Sequence, residues 1–224
     1  MFETLTLADI PKKQCGILRK QSNTRPAVWR IEERGTTAIV KDFHCNGFFY
    51  RNIVGRFLVW REAKAYRRLN GLEGVPAFFR TIKGLALVVE EIQGADIETL
   101  NCFGSLDEGF YNNLKVLINN IHKRGLVHCD LKRAPNIMKG DDGKPYIVDW
   151  AAAISMSEFR LFPLRLIYRR FLHDDLNAVT KLKLKYRPDS VSQEEKDMYM
   201  TRSRLETAIR EIRNFFRICL KKIT

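Results

Sequence analysis

Leu126-Val127-His128-Cys129-Asp130-Leu131-Lys132-Arg133-Ala134-Pro135-Asn136-Ile137-Met138, followed by Tyr146-Ile147-Val148-Asp149-Trp150-Ala151, decides how this 224-residue chain is read. Two short apolar segments, Gly125 to His128 and Pro145 to Val148, bracket a polar stretch. An Asp lies within that stretch, an Asn follows it, and a second Asp ends the next apolar run. Phosphoryl transfer asks for this set of side chains. It needs a carboxylate to accept or orient the proton of an attacking hydroxyl, and oxygen ligands to hold Mg²⁺ against nucleotide phosphates. Asp130 suits the first task; Asn136 and Asp149 suit the second.

Upstream of this stretch the pattern alternates strands with one long helix. Gln14 to Lys20 and Ala27 to Glu33 are predicted strands around a polar turn, Gln21 to Pro26. Thr36 to Phe43 is a third strand, rich in β-branched residues. Phe57 to Leu69 carries apolar or small residues at helical spacing (Phe57, Leu58, Ala63, Ala65, Tyr66, Leu69) and stops at Asn70-Gly71. Two further strands are expected near Phe78 to Ile82 and Ala86 to Glu91. Gly94 marks the change to a helical region. There Ser105-x-x-Glu108 is a capping box before the stripe Phe110, Leu114, Leu117, Ile118 and Ile121. A second box, Ser203-x-x-Glu206, opens a last helix with Leu205, Ile209, Ile212, Phe216 and Leu220 inward.

Composition sets the outer limits. Hydrophobic residues are 45% and charged residues 29% of the chain, enough apolar surface for one compact domain or two small lobes around a cleft. No run of 18 or more apolar residues exists, so no membrane span is expected. Met1 to Pro11 carries acidic residues and lacks the basic and apolar regions of a secretory signal, which points to a cytoplasmic chain. The five cysteines are scattered without a C-x-x-C pair, the usage of a reducing compartment, and neither they nor the four histidines have metal-ligand spacing. Net charge is +13, and the basic excess continues from Ser155 to Thr224. That surplus favours anionic partners, although a well-solvated surface accounts for it equally. Ser157 to Arg170 interleaves large apolar residues with arginines, which suits a membrane-surface element or a helix with snorkelling arginines. No nucleic-acid recognition motif is visible, so no nucleic-acid partner is expected.

The ordered motifs resemble those of protein kinases. His128 to Asn136 looks like the H-R-D-L-K-x-x-N catalytic loop, Asp149-Trp150-Ala151 like D-F-G, and Ala38-Ile39-Val40-Lys41 like the V-A-I-K strand. The resemblance implies an α+β, bilobal fold: an N-lobe of a five-stranded antiparallel sheet plus one helix (residues 1–93) and a mostly helical C-lobe (residues 94–224), together one kinase-like domain. It implies ATP and Mg²⁺ as cofactors. Asp130 would be the catalytic base, Lys132 would meet the transferred phosphate, and Asn136 and Asp149 would bind the metal. Lys41 would contact the α/β-phosphates with Glu62 as its ion-pair partner. Val89 would be the gatekeeper, Glu90, Glu91 and Ile92 would receive the adenine edge, and Asp96 would reach the ribose. His128 would brace the loop through hydrogen bonds.

Within the superfamily, the pattern from Arg61-Glu62-Ala63 through Gly74-Val75-Pro76, with the basic tail, looks most like bacterial lipopolysaccharide-core and Kdo kinases and their Rio-like relatives. The implied acceptor is a hydroxyl of a lipopolysaccharide sugar or of a protein, with peripheral contact to the anionic inner face of the cytoplasmic membrane. A kinase-like scaffold that binds nucleotide without efficient catalysis is the alternative. Two departures bear on the site. No G-x-G-x-x-G precedes β-strand two, so Ser22 or Thr24 is expected to contact ATP instead. Asn136 lies six residues after Asp130 where the motif has five, and the extra residue near Ala134-Pro135 either bulges harmlessly or moves Asn136 off the metal.

Overall fold

The computed structural model describes residues 2–100, 106–159, 161–162 and 164–200. Five strands form one antiparallel sheet in the order β1-β2-β3-β5-β4: β1 (Gln14–Arg19), β2 (Ala27–Glu33), β3 (Thr36–Asp42), β4 (Phe78–Ile82) and β5 (Ala86–Glu90). The period-two pattern of β3 divides the sheet into two faces. Ala38 and Val40 point into a buried apolar cluster with Ile31, Ile82, Ala86 and Val88. The N-terminal segment closes this cluster with Phe2, Leu5 and Ile10, the last from the short helix α1 (Ile10–Lys13). Ile39 and Lys41 point to the opposite face, in register with Val89 and Leu87 of β5. The expected strands are therefore present, with ends shifted by a residue or so.

Helix α2 (Arg56–Leu69) follows a wider helical stretch, Tyr50–Gly55. It buries Val59, Glu62, Ala63, Ala65, Tyr66 and Leu69 and stops at Asn70, with Gly71 at φ 74°. The left-handed conformation at Gly71 is the C-terminal stop that Asn-Gly announces. Phe57, one of the residues at helical spacing, is 51% exposed. Trp60 also faces outward, so α2 carries apolar residues on two sides. Helical spacing identifies a face; it does not say which of two apolar faces the sheet takes.

After β5 the chain turns at Gly94, whose φ is 146° and where a Cβ would collide with the Lys139 carbonyl oxygen. No other residue fits that crossing. It begins β6 (Gly94–Asp96), which joins β8 (Ile137–Gly140) and β9 (Pro145–Ile147) in a three-stranded sheet, while β7 (Leu126–Val127) pairs with β10 (Ile154–Ser155). The helices of this second part are α3 (Ile97–Leu100), α4 (Glu108–Lys123), α5 (Leu164–Tyr186) and α6 (Gln193–Met200). α4 buries Phe110, Tyr111, Leu114, Leu117, Ile118 and Ile121, as its stripe predicts. Its N-cap is Asp107, which accepts the Phe110 N–H at 2.7 Å, two residues beyond the serine of the expected capping box. The result is the bilobal α+β arrangement expected from the sequence, a five-stranded sheet with one long helix followed by a mostly helical lobe.

Residues up to Val179 form one compact unit, and those from Thr180 onward a second. Within the second, the buried Lys183 pairs with Glu195 at 3.1 Å. The second capping box and the last predicted helix lie outside the described residues. No described helix is long and apolar enough to cross a membrane.

Candidate active site

The sheet face opposite the apolar cluster brings three predicted residues into contact. Lys41 on β3 lies 2.6 Å from Glu62 on α2 and 2.8 Å from Asp149. Glu62 sits on the inward stripe of α2, buried at 3% exposure, and also accepts the Trp150 N–H at 3.2 Å. A buried carboxylate needs such partners to remain charged. Burial pushes the Lys41 ammonium down, but the carboxylates of Glu62 and Asp149 outweigh it and leave Lys41 raised. Glu62 is raised by its burial, with Lys41 pulling the other way. Asp149 is lowered, chiefly by the Lys41 charge, against the effect of its own burial. Glu73, an alternative partner for Lys41, pairs with Lys144 instead.

A lysine ammonium has three donors. Glu62 and Asp149 take two, which leaves one. Lys41 is a fixed cation, with its stem set by strand register and its head by two carboxylates.

The second group of predicted residues lies on the loop between β7 and β8. Asn136 is buried at 4% exposure, and its Nδ2 donates to the Asp130 carbonyl at 3.0 Å, with Asp130 Oδ2 at 3.4 Å. The extra residue between them is absorbed by successive tight turns: Arg133 N–H donates to the Asp130 carbonyl and Asn136 N–H to the Arg133 carbonyl. Pro135 favours this, because its ring sets a turn-compatible φ in the 3₁₀ turn Ala134–Asn136. Asn136 therefore meets Asp130 despite its spacing. With Nδ2 engaged, Oδ1 is the atom able to bind a cation.

His128 is fully buried and joins the two loops. Its Nδ1 accepts the Asp130 N–H at 3.3 Å, and its Nε2 lies 3.0 Å from the Val148 carbonyl. Those partners require a neutral ring with the proton on Nε2. Burial pushes the ring's pKa down, against the pull of Asp175. Trp150, fully buried, packs edge-on against His128 with centroids 4.7 Å apart, and its indole N–H donates to the Ile147 carbonyl. Where D-F-G has a Phe and a Gly, this chain therefore has a large anchored ring. Cys129 and Asp149 both adopt left-handed backbone, φ 68° and 67°. Such strain in non-glycine residues persists only where surrounding contacts enforce it.

Asp175 supplies much of that enforcement, and nothing in the motif analysis singled it out. Buried on α5, it accepts the His128 N–H at 2.7 Å and the Cys129 N–H at 3.0 Å, and lies 3.3 Å from His122 Nε2. A signal was available. Asp175 interrupts the apolar spacing Tyr168, Leu172, Ala178, Val179 on one helix face, and an acidic residue there must find buried donors.

The remaining predicted residues are placed differently. Ser22 and Thr24 belong to a tight turn whose backbone is bonded to itself and to neighbours. Val89 is buried on β5. Glu90 bonds Ala77 through both its backbone N–H and its carboxylate. Glu91 pairs with Arg30 at 2.8 Å, and Ile92 is half-buried beside it. The Asp96 carboxylate caps α3, accepting from the N–H groups of Glu98 and Thr99 and from the Thr99 hydroxyl. Lys132 is exposed, and Arg133, not Lys132, lies 3.5 Å from Asp130 Oδ2.

The donor set fits a magnesium–nucleotide complex. Asp149 and Asn136 offer two hard oxygen ligands, and Mg²⁺ is commonly held by one or two such groups plus phosphates and water. Among the described residues no group of three or more His, Cys, Asp or Glu side chains is placed to hold a metal by itself.

Comparison with known proteins gives the family and a shared fold. The RIO domain matches residues 48–196, a stretch that includes Glu62, Asp130, Asn136, Asp149 and Asp175 and begins after Lys41. No curated protein matches the chain. Among solved structures, the Rio2 kinase of Chaetomium thermophilum, in a complex with ADP/Mg²⁺ and phosphoaspartate, aligns with a TM-score of 0.58 at 16% identity, covering 91% of this chain and 68% of that one. That likeness extends the shared fold beyond the stretch that the RIO domain matches. The chain belongs to the RIO-domain family, a branch of the protein-kinase-like ATP-dependent phosphotransferases.

Proposed function

We propose that this chain is an ATP- and Mg²⁺-dependent kinase of Rio type that phosphorylates a protein hydroxyl. The observation that carries the proposal is the pair of constellations, Lys41–Glu62–Asp149 and Asp130–Asn136, joined through His128 in a chain of the RIO family. In this assignment residues 1–93 hold the nucleotide and residues 94–224 provide the catalytic loop and the acceptor side. The family favours a Rio-type protein acceptor over the lipopolysaccharide sugar that the sequence pattern also suggested, and nothing in the comparisons supports the sugar or a membrane contact.

Asp130 is the base: its carboxylate takes the proton of the acceptor hydroxyl as the hydroxyl oxygen bonds to the γ-phosphorus and the bond to the β–γ bridging oxygen breaks, releasing ADP. Asn136 fixes the loop through the Asp130 carbonyl. Lys41, held by its two carboxylates, neutralises charge on the α/β-phosphates. Mg²⁺, when bound by Asp149 and Asn136 Oδ1, would balance the charge of the β/γ oxygens. Val89 and the segment Glu90 to Ile92 would face the adenine. Ser22, Thr24, Asp96 and Lys132 remain proposed contacts to ATP, ribose and transferred phosphate.

The test is transfer of label from ATP into purified protein substrates and into a cell extract fractionated into protein, lipid and small molecules. Asp130→Ala is expected to lower transfer by about 10²–10⁴-fold, the usual contribution of a positioned base, while Mg-ATP still raises the melting temperature. Asp149→Ala is expected to abolish the magnesium-dependent part of that rise. Label in the lipid fraction that depends on Asp130 would replace the protein acceptor with a sugar. No Asp130-dependent label in any fraction would reject the enzyme assignment.

A further inference from the structure

Glycine-rich loops of kinases cover the nucleotide phosphates with backbone; the turn between β1 and β2 has no glycine to do so. The strand register places a side chain there instead. Arg19, the last residue of β1, lies opposite Val28 just past a bulge at Leu18, and Val28 lies opposite Lys41. Residues directly opposite in an antiparallel sheet project from the same face. Arg19 and Lys41 are therefore on one face, two strand spacings or about 10 Å apart, a gap that two long cationic side chains close from either side of a polyphosphate.

Arg19 is also directed. Its Nε donates to the Pro26 carbonyl at 3.3 Å, which ties the side chain across the turn and leaves its terminal amino groups as a fork for phosphate oxygens. The turn itself is pinned from the segment before α2. Buried Asn46 donates from Nδ2 to the carbonyls of Ser22 and Arg25 at 2.7 and 3.1 Å, and the Tyr50 hydroxyl donates to the Thr24 carbonyl at 2.6 Å.

We propose that Arg19 is a second phosphate-binding cation of the site, opposite Lys41, and that Asn46 and Tyr50 are positioning residues that hold the turn beside it. The inference rests on the nucleotide-binding assignment above. A guanidinium on a braced hairpin takes the place of backbone donors on a glycine flap. It favours ligands by their number of phosphates and not by their base.

The experiment compares binding of Mg-ATP, Mg-ADP, AMP and adenosine by calorimetry to the full chain and to its Arg19→Gln and Arg19→Lys variants. Arg19→Gln is expected to weaken ATP and ADP about tenfold or more, the effect of losing one charged hydrogen-bonding contact, and to leave adenosine unchanged. Arg19→Lys restores part of the loss, because the charge returns without the fork. If the unaltered chain binds none of the four ligands, the nucleotide assignment itself fails. If it binds ATP and Arg19→Gln binds equally well, or loses ATP and adenosine in equal proportion, the role of Arg19 is overturned while that assignment stands.

Discussion

The catalytic loop and the turn between β1 and β2 are held by opposite means. The catalytic loop, His128 to Asn136, is fixed from inside: Asp175 takes two of its N–H groups, His128 spans to Val148, and left-handed Cys129 is kept in place by these contacts. The turn between β1 and β2 lies near the surface and is fixed by side chains reaching its carbonyls from Asn46 and Tyr50. Interior polar contacts cannot be lost without leaving buried groups unpaired. Contacts near solvent can be replaced by water. The first loop should thus couple function to stability, and the second should uncouple them.

The strongest challenge to that contrast is Asp175→Ala. It leaves the His128 and Cys129 N–H groups without an acceptor in the interior, and about 3 kcal/mol of unfolding free energy should be lost, together with phosphate transfer. Urea denaturation measures the first; a loss under about 1 kcal/mol would mean that water reaches the loop and that it is not braced from inside.

Acidification should act on the same loop. His128 is held neutral in the folded chain with a pKa below its unfolded value of about 6.5. The unfolded state therefore binds more protons as pH falls below about 6.5, and folding stability declines from that point downward through the folded pKa. His128→Gln should remove this part of the slope when stability is measured from pH 7.5 to 5, and an unchanged slope would exclude His128 as its source.

Asn46→Ala probes the outer turn. It should raise KM for ATP about threefold with kcat nearly unchanged, and cost about 1 kcal/mol or less, because the released Ser22 and Arg25 carbonyls can be hydrated. A stability loss as large as that of Asp175→Ala would erase the distinction between the two loops. The smallest effect concerns Cys129. Burial, then the Asp175 charge, pushes its thiol up to about 12, so iodoacetamide at pH 8 should modify exposed Cys15 and spare Cys129. Equal labelling would show that the catalytic loop opens readily.

Much of this molecule is legible in local pattern. Polar turns and β-branched residues marked the strands, Asn70-Gly71 marked the end of α2, and motif order singled out Lys41, Glu62, Asp130, Asn136 and Asp149 as candidates. The pattern failed where a choice depended on what lies across space. Phe57 has the spacing of a core residue yet faces outward, since Val59, Ala63 and Tyr66 take the inner side. The spacing of Asn136 did not say where its side chain goes, and two successive tight turns bring it to the Asp130 carbonyl. Asp96 is a short-range cap, a role set by its position just before α3.

What the sequence by itself determined is the set of elements and the chemical types gathered between them, because propensity, periodicity and motif order are local properties of the chain. Only the tertiary structure decided which charges meet. Asp175 reaches the catalytic loop across 47 residues, and Arg19 joins the row of Lys41 only through the pairing of three strands. Contacts of that kind arise from strand register and from the need of buried polar groups for partners, and neither leaves a spacing to be read along the chain.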